Sequence, residues 1–84
     1  MNEIFVVTYT SRGFEENSDE ILGAGIGSVC SFVYSNAIAD IISNQGYTEE
    51  EMIEEEDEAG NLTFRATRDG KEEIVKLTKK ELDR

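Results

Sequence analysis

The sequence predicts an α+β fold: an antiparallel sheet of about four to five strands with one main helix packed on one face. Three observations predict it. Residues 4–10 (IFVVTYT) form a β-branched and aromatic run. Asp69-Gly70 stands between two alternating segments and is the strongest hairpin signal in the chain. Residues 37–44 carry a helix-spaced apolar stripe, and Gly46 follows it as a stop. A chain of 84 residues is expected to make a single domain, 1–84, with one thin core.

Each element follows in order. Residues 4–10 read as a strand, apolar at every position until Thr8, with both faces covered or one at an interface. Residues 11–20 (SRGFEENSDE) read as a loop around Gly13, with Phe14 folding back onto the core. Residues 21–34 (ILGAGIGSVCSFVY) read as a second extended segment, anchored by Ile26, Val29 and Phe32. Its glycines at 23, 25 and 27 imply a bulge or a close backbone approach. Ser35 or Asn36 then caps a helix over 37–44, in which Ile38, Ile41 and Ile42 share one stripe. Gly46 supplies the left-handed stop, and Tyr47 closes the hydrophobic contact of that cap.

Residues 48–58 (TEEEMIEEEDE) support two readings. Thr48 and Glu51 make a capping-box pattern, which favours a short helix. Ala59-Gly60-Asn61 looks like a hairpin turn, which makes 50–57 an acidic strand, the reading favoured here. Residues 61–68 alternate, with Leu62, Phe64 and Ala66 inward, and 72–77 return with Val75 and Leu77 inward. Thr78-Lys79-Lys80-Glu81 repeats the capping-box pattern and predicts a final helical turn. There are no internal repeats.

Charge narrows the function. The chain holds 19 acids and 8 bases, for a net charge of -11. Residues 1–63 contain 14 acids against one base, Arg12, and residues 64–84 contain five acids against seven bases. This balance argues against direct contact with nucleic acid or anionic lipid, which requires Lys and Arg. The natural partner is a basic surface. A single cysteine, Cys30, leaves no internal disulfide framework and suits a reducing, cytoplasmic setting. Met1-Asn2-Glu3-Ile4 lacks the basic start of a signal peptide, and no stretch approaches the ~18 apolar residues of a membrane span.

The catalytic alternatives are poorly supplied. Gly23-Ala24-Gly25-Ile26-Gly27 resembles the start of a dinucleotide-binding loop, and Asp40 lies roughly where a ribose-binding acid would sit. The spacing is Gly-x-Gly-x-Gly, however, and the expected helix begins too late. Histidine is absent, so Cys30 has no histidine base and reads as a buried thiol. Contiguous glutamates lack the spaced ligands and central glycine of a calcium loop. A carboxylate pair for glycoside chemistry needs a cleft that so short a chain does not readily build. No enzymatic activity, metal site or cofactor is expected.

The acidic run remains as a surface. Eight of the ten residues at 49–58 are acidic: Glu49, Glu50, Glu51, Glu54, Glu55, Glu56, Asp57 and Glu58. The run is internal, and Met52 and Ile53 can anchor it. Duplex DNA carries one charge per ~1.7 Å of axis. A helix over 49–58 would carry one per roughly 1.9 Å, and a strand would set same-face residues about 6.6 Å apart. Either presents a phosphate-like row, which Glu15, Glu16, Asp19 and Glu20 would extend. The plainer reading is a solvated face that confers only solubility.

In its size, its charge, the run EEEMIEEEDE and its want of catalytic residues, the chain resembles the small acidic DNA-mimic proteins that phages direct against host DNA-binding proteins. It is similar in the same respects to the host-takeover proteins of large lytic Bacillus phages, one of which inhibits the nucleoid protein HU by occupying its DNA-binding arms. Small anti-CRISPR and anti-restriction proteins look alike at this level, and DNA mimics share no common fold. The resemblance implies a homodimer acting in the host bacterial cytoplasm. Residues 4–7 and 23–27 are the candidate dimer interface.

Three functions are therefore carried forward. In the first, the carboxylates named above mimic DNA and block a basic DNA-binding protein. In the second, the protein is an adaptor that works through apolar contacts, with salt of little consequence. In the third, it binds a small ligand or metal, which would raise its melting temperature.

Overall fold

The computed structural model describes residues 2–13 and 17–82. Five strands and one long helix follow in the order β1 (Asn2–Arg12), β2 (Asn17–Gly25), α1 (Gly27–Gln45), β3 (Met52–Glu56), β4 (Leu62–Arg68) and β5 (Lys71–Leu82). A 3-10 turn, Glu49–Glu51, leads into β3. All pairings are antiparallel, in the spatial order β2-β1-β5-β4-β3. The helix lies across one face, as the α+β reading requires.

The β4–β5 hairpin forms for the reason the dipeptide suggests. Asp69 (φ 51°) and Gly70 (φ 84°) both take positive φ, and Arg68 pairs with Lys71 across a two-residue turn. Such a turn matches the right-handed twist of its strands. Along it Phe64, Ala66, Val75 and Leu77 are buried beneath the helix, with Leu62 packed at their margin. The Ala59-Gly60-Asn61 segment turns β3 into β4, with Gly60 at φ 89°.

The helix is longer than expected. Residues 27–34 are helical rather than extended, and Ile26, not Ser35 or Asn36, occupies the N-cap with no side-chain bond. Cys30, Tyr34, Ala37 and Ile41 fall at i, i+4, i+7 and i+11, a stripe that packs on the sheet. Burial of that stripe outweighs the β-preference of Val29, Phe32 and Val33. Val29 and Phe32 are consequently not core anchors: they are 53% and 67% exposed. Within the expected stripe, Ile41 is buried, Ile38 packs against the core and Ile42 is 37% exposed. At the far end Gly46 is left-handed (φ 64°) and donates to Ile42 O at 2.8 Å, while Tyr47 is buried.

Two further segments depart from expectation. The predicted loop at 11–20 is largely strand, since β1 and β2 pair out to Arg12 and Asn17. The implied bulge is present, because Val7 pairs with Gly23 while Thr8 pairs with Ile21, leaving Leu22 as the extra residue. Residues 78–81 are strand rather than a helical turn. They pair with residues 3–6 of β1, and those backbone bonds outweigh the local capping pattern. Close approach falls at Gly27, which opens the helix instead of continuing a strand: a Cβ there would sit 3.0 Å from the Phe5 ring. Phe14 lies outside the described residues.

Candidate functional site

The acidic run wraps the β3 edge of the sheet. Its first part is a capped turn: the Thr48 backbone N–H donates to Glu51 Oε1 at 2.9 Å, and the Thr48 hydroxyl donates to the same oxygen at 3.3 Å. The run then becomes the edge strand, as favoured. Glu54 and Glu56 are on the helix side with their partners Phe64 and Leu62, while Ile53 and Glu55 are on the open face. Asp57 and Glu58 enter the β3–β4 turn. Carboxylates therefore leave the edge in several directions rather than in one row.

Three of these acids are engaged within the fold. Arg68 on β4 grips Glu51 through a bidentate fork, Nε to Oε2 and Nη2 to Oε1, both at 2.7 Å. The same guanidinium donates to the Gln45 and Gly46 carbonyls at 2.9 and 3.0 Å and lies 4.8 Å from the Tyr47 ring centroid. One cation thus ties the end of α1 to the start of the acidic run. The fork, and then the Thr48 backbone bond, hold the Glu51 carboxyl at about 2. Asp57 closes the β3–β4 turn: Oδ1 accepts from Ala59 N at 2.9 Å and Asn61 N at 3.0 Å, and Oδ2 from Asn61 Nδ2 at 3.0 Å. Those bonds, Asn61 first, keep its carboxyl below the usual range. Glu54 accepts from the Tyr34 hydroxyl at 2.8 Å, and burial followed by that carboxylate pushes the phenol up.

Among the described residues, Glu49, Glu50, Glu55, Glu56 and Glu58 make no side-chain hydrogen bond or ion pair, and all are exposed. Glu55 and Glu56, with Asp57, Asn61 and Thr63, line a shallow concavity of about 510 Å³.

Asp19 and Glu20 do not extend this surface. They lie on β2, the opposite edge, four strand spacings or roughly 19 Å from β3. Asp19 there accepts from the Thr10 hydroxyl at 2.8 Å. Glu15 and Glu16 lie outside the described residues. Several bases lie on the strands between the edges: Arg65 and Arg12 approach Glu72 at 3.0 and 3.9 Å, the former without a well-aligned hydrogen bond, and Lys79 lies 4.0 Å from Glu3. The molecule therefore presents two acidic edges flanking a sheet centre of mixed charge.

One acid with a distinct role lies outside the acidic run. Glu73 on β5 is buried, 4% exposed, and accepts from Tyr9 at 2.7 Å on Oε1 and from Tyr47 at 2.6 Å on Oε2. Burial and then this carboxylate raise both phenols, Tyr47 to about 12. The period-2 pattern through Val75 and Leu77 carries the signal, since it sets Glu73 on the inward face.

The glycine segment does lead from a strand into a helix, contrary to expectation. That strand is an antiparallel edge, however, and not the buried parallel strand of a dinucleotide fold. Among the described residues no group of three or more His, Cys, Asp or Glu side chains is arranged to hold a metal ion, and no helix is long and apolar enough to cross a membrane. Cys30 is fully buried, its thiol 3.4 Å from the Phe5 carbonyl oxygen. No protein-family model, curated protein or solved structure matches the chain.

Proposed function

We propose that the protein is a non-catalytic inhibitor that occupies the basic nucleic-acid-binding surface of a DNA-binding protein, such as a nucleoid protein of the HU kind. The observation that carries the reading is the β3 edge, where Glu49, Glu50, Glu55, Glu56 and Glu58 remain exposed and unengaged among the described residues of a chain of net charge -11. Each pairing with a partner lysine or arginine is individually weak and salt-screened. Affinity then comes from the array, and the summed field steers the encounter. The engaged acids Glu51, Glu54 and Asp57 hold the edge in shape, while the unengaged ones meet the partner.

The test is capture from nuclease-treated bacterial lysate on immobilised protein, eluted by a salt gradient and read by mass spectrometry. An abundant basic DNA-binding protein eluting as salt rises is the expected result. Capture of neutral proteins insensitive to salt would refute the reading and favour an adaptor that works through apolar contacts.

A further inference from the structure

Glu73 is a buried carboxylate with no cation to match it. Its inward position on β5 is one that the period-2 pattern through Val75 and Leu77 would fill with an apolar residue. Both of its oxygens accept, from Tyr9 at 2.7 Å and from Tyr47 at 2.6 Å, and both donors are neutral phenols. A carboxylate offers about four acceptor positions, so roughly half of them stand unused. Among the described residues Glu73 forms no ion pair with any lysine or arginine, whereas the less buried Glu51 holds Arg68 in a fork. Taking an ionised carboxylate out of water is costly unless an opposite charge meets it.

Glu73 is not sealed in. It forms part of the lining of a cavity of about 330 Å³ between α1 and the sheet. Ligand sites begin at about 300 Å³, so this one admits only a small molecule. Helical spacing builds one wall: Ala37, Asp40, Ile41 and Asn44 fall at i, i+3, i+4 and i+7, on one face of α1. The β2 bulge contributes to the other, since its extra residue Leu22 also lines the cavity. Leu22, Ala37 and Ile41 make the lining apolar on one part, while Glu73 and Asp40 add carboxylates and Asn44 and Gln45 add amide oxygens. The base in the lining, Lys71, is exposed and has no ion pair among the described residues.

We infer that this cavity binds a small primary alkylamine in its ammonium form, with the ammonium on Glu73 and the alkyl stem against Leu22, Ala37 and Ile41. An ammonium carries three donors and no acceptor, and the polar part of the lining is rich in acceptors. An anion would meet the carboxylates of Glu73 and Asp40, and a neutral ligand would leave the buried charge unmatched. A metal ion of the calcium kind takes six to eight oxygen ligands. The cavity offers two carboxylates, and no group of three or more acidic, histidine or cysteine side chains gathers among the described residues. The ammonium can belong to a free amine or to a lysine side chain, since the chemistry that recognises it is the same. The cavity is lined from α1, β1, β2 and β5 and by no residue of β3, so the inference stands apart from the reading of the acidic edge.

Titration of the full chain with n-butylammonium chloride at neutral pH tests it, followed by amide NMR against sodium chloride of equal ionic strength. The expected result is a saturable set of shifts grouped at Leu22, Ala37, Asn44 and Glu73, which n-butanol at equal concentration does not reproduce. Asp40 is exposed, so Asp40→Lys places a like charge at the rim without entering the core. It should weaken binding at least about tenfold, whereas Glu56→Lys, the same change of charge on the β3 edge, should leave binding within about twofold. Glu73→Gln should also weaken binding at least about tenfold if it keeps the wild-type amide spectrum; if it does not fold, Asp40→Lys decides. Nα-acetyl-lysine amide is the second probe. Shifts at the same amides extend the site to lysine side chains, and their absence beside butylammonium binding restricts it to free amines. No saturable shift with either amine would overturn the inference. So would equal shifts from n-butanol, shifts spread over both acidic edges, or a loss from Glu56→Lys as large as that from Asp40→Lys.

Discussion

Changing Glu49, Glu50, Glu55, Glu56 and Glu58 together to glutamine removes the unengaged charge of the β3 edge while leaving its internal bonds in place. An exposed ion pair contributes roughly 1.4- to 5-fold in affinity, from the usual range for surface pairs. Five lost together therefore weaken binding between roughly fivefold and a few thousandfold, the upper part applying if all five pair at once. The salt dependence of binding should flatten in step, because fewer charges meet the partner. Glu51→Gln and Asp57→Asn are the contrast. Their carboxylates serve Arg68 and the β3–β4 turn, so they should loosen the fold with much less effect on binding. The assay is displacement of a labelled DNA duplex from a basic DNA-binding protein, followed by fluorescence anisotropy across a salt series. If the five-glutamine protein displaces DNA with the same midpoint as wild type, the acidic edge is not the binding surface.

Other outcomes follow from the interior. Tyr47→Phe removes one of two donors from the buried Glu73 carboxylate and should cost about 1.5–3 kcal/mol in urea unfolding; Tyr9→Phe should cost less, because Tyr9 is only partly buried and water can replace its hydroxyl. The Glu51 carboxyl is held at about 2 against an ordinary 4.5. Its contribution is therefore present above pH 4.5 and lost as pH falls toward about 2, so the difference in urea midpoint between wild type and Glu51→Gln should close over that window. Tyr47 is raised from 10 to about 12, so its contribution is complete below pH 10 and lost on the way to 12; ultraviolet titration should show a phenol ionising late, with unfolding. Gly46→Ala imposes a side chain at φ 64° and should cost about 1 kcal/mol by thermal unfolding.

The elements legible in the sequence are those whose signal is local. Asp69-Gly70, Gly46 and the alternation of 61–68 each name a backbone conformation that their own residues prefer, and each appears. The ambiguity at 48–58 resolves because both readings are true in part: the capping box forms a 3-10 turn, and the strand begins directly after it. The start of α1 was illegible because Val29, Phe32 and Val33 favour strands while the stripe from Cys30 to Ile41 favours a helix, and only the sheet beneath decides between them. Residues 78–81 failed for the converse reason, since pairing with β1 is remote in sequence. Of the candidate site, the unengaged acids were legible as composition. The diversion of Glu51 to Arg68, 17 positions away, and the separation of Asp19 and Glu20 onto the other edge both depend on strand order, which composition does not carry.

That strand order also has a consequence for how the chain reaches its fold. β5 comes last of the five in sequence yet lies in the middle of the sheet. Without it, the remaining strand pairings are two separate hairpins, β1–β2 and β3–β4, and a two-stranded ribbon is marginal in water by itself. On a ribosome, β1 and β4 would wait with open edges for a strand not yet made. The pairing of β1 with β5 closes a loop spanning most of the chain, which places assembly among the slower, non-local folding reactions. Removal of residues from Lys71 onward would therefore do more than shorten the sheet: it would leave two hairpins with no strand pairing between them, joined only through α1.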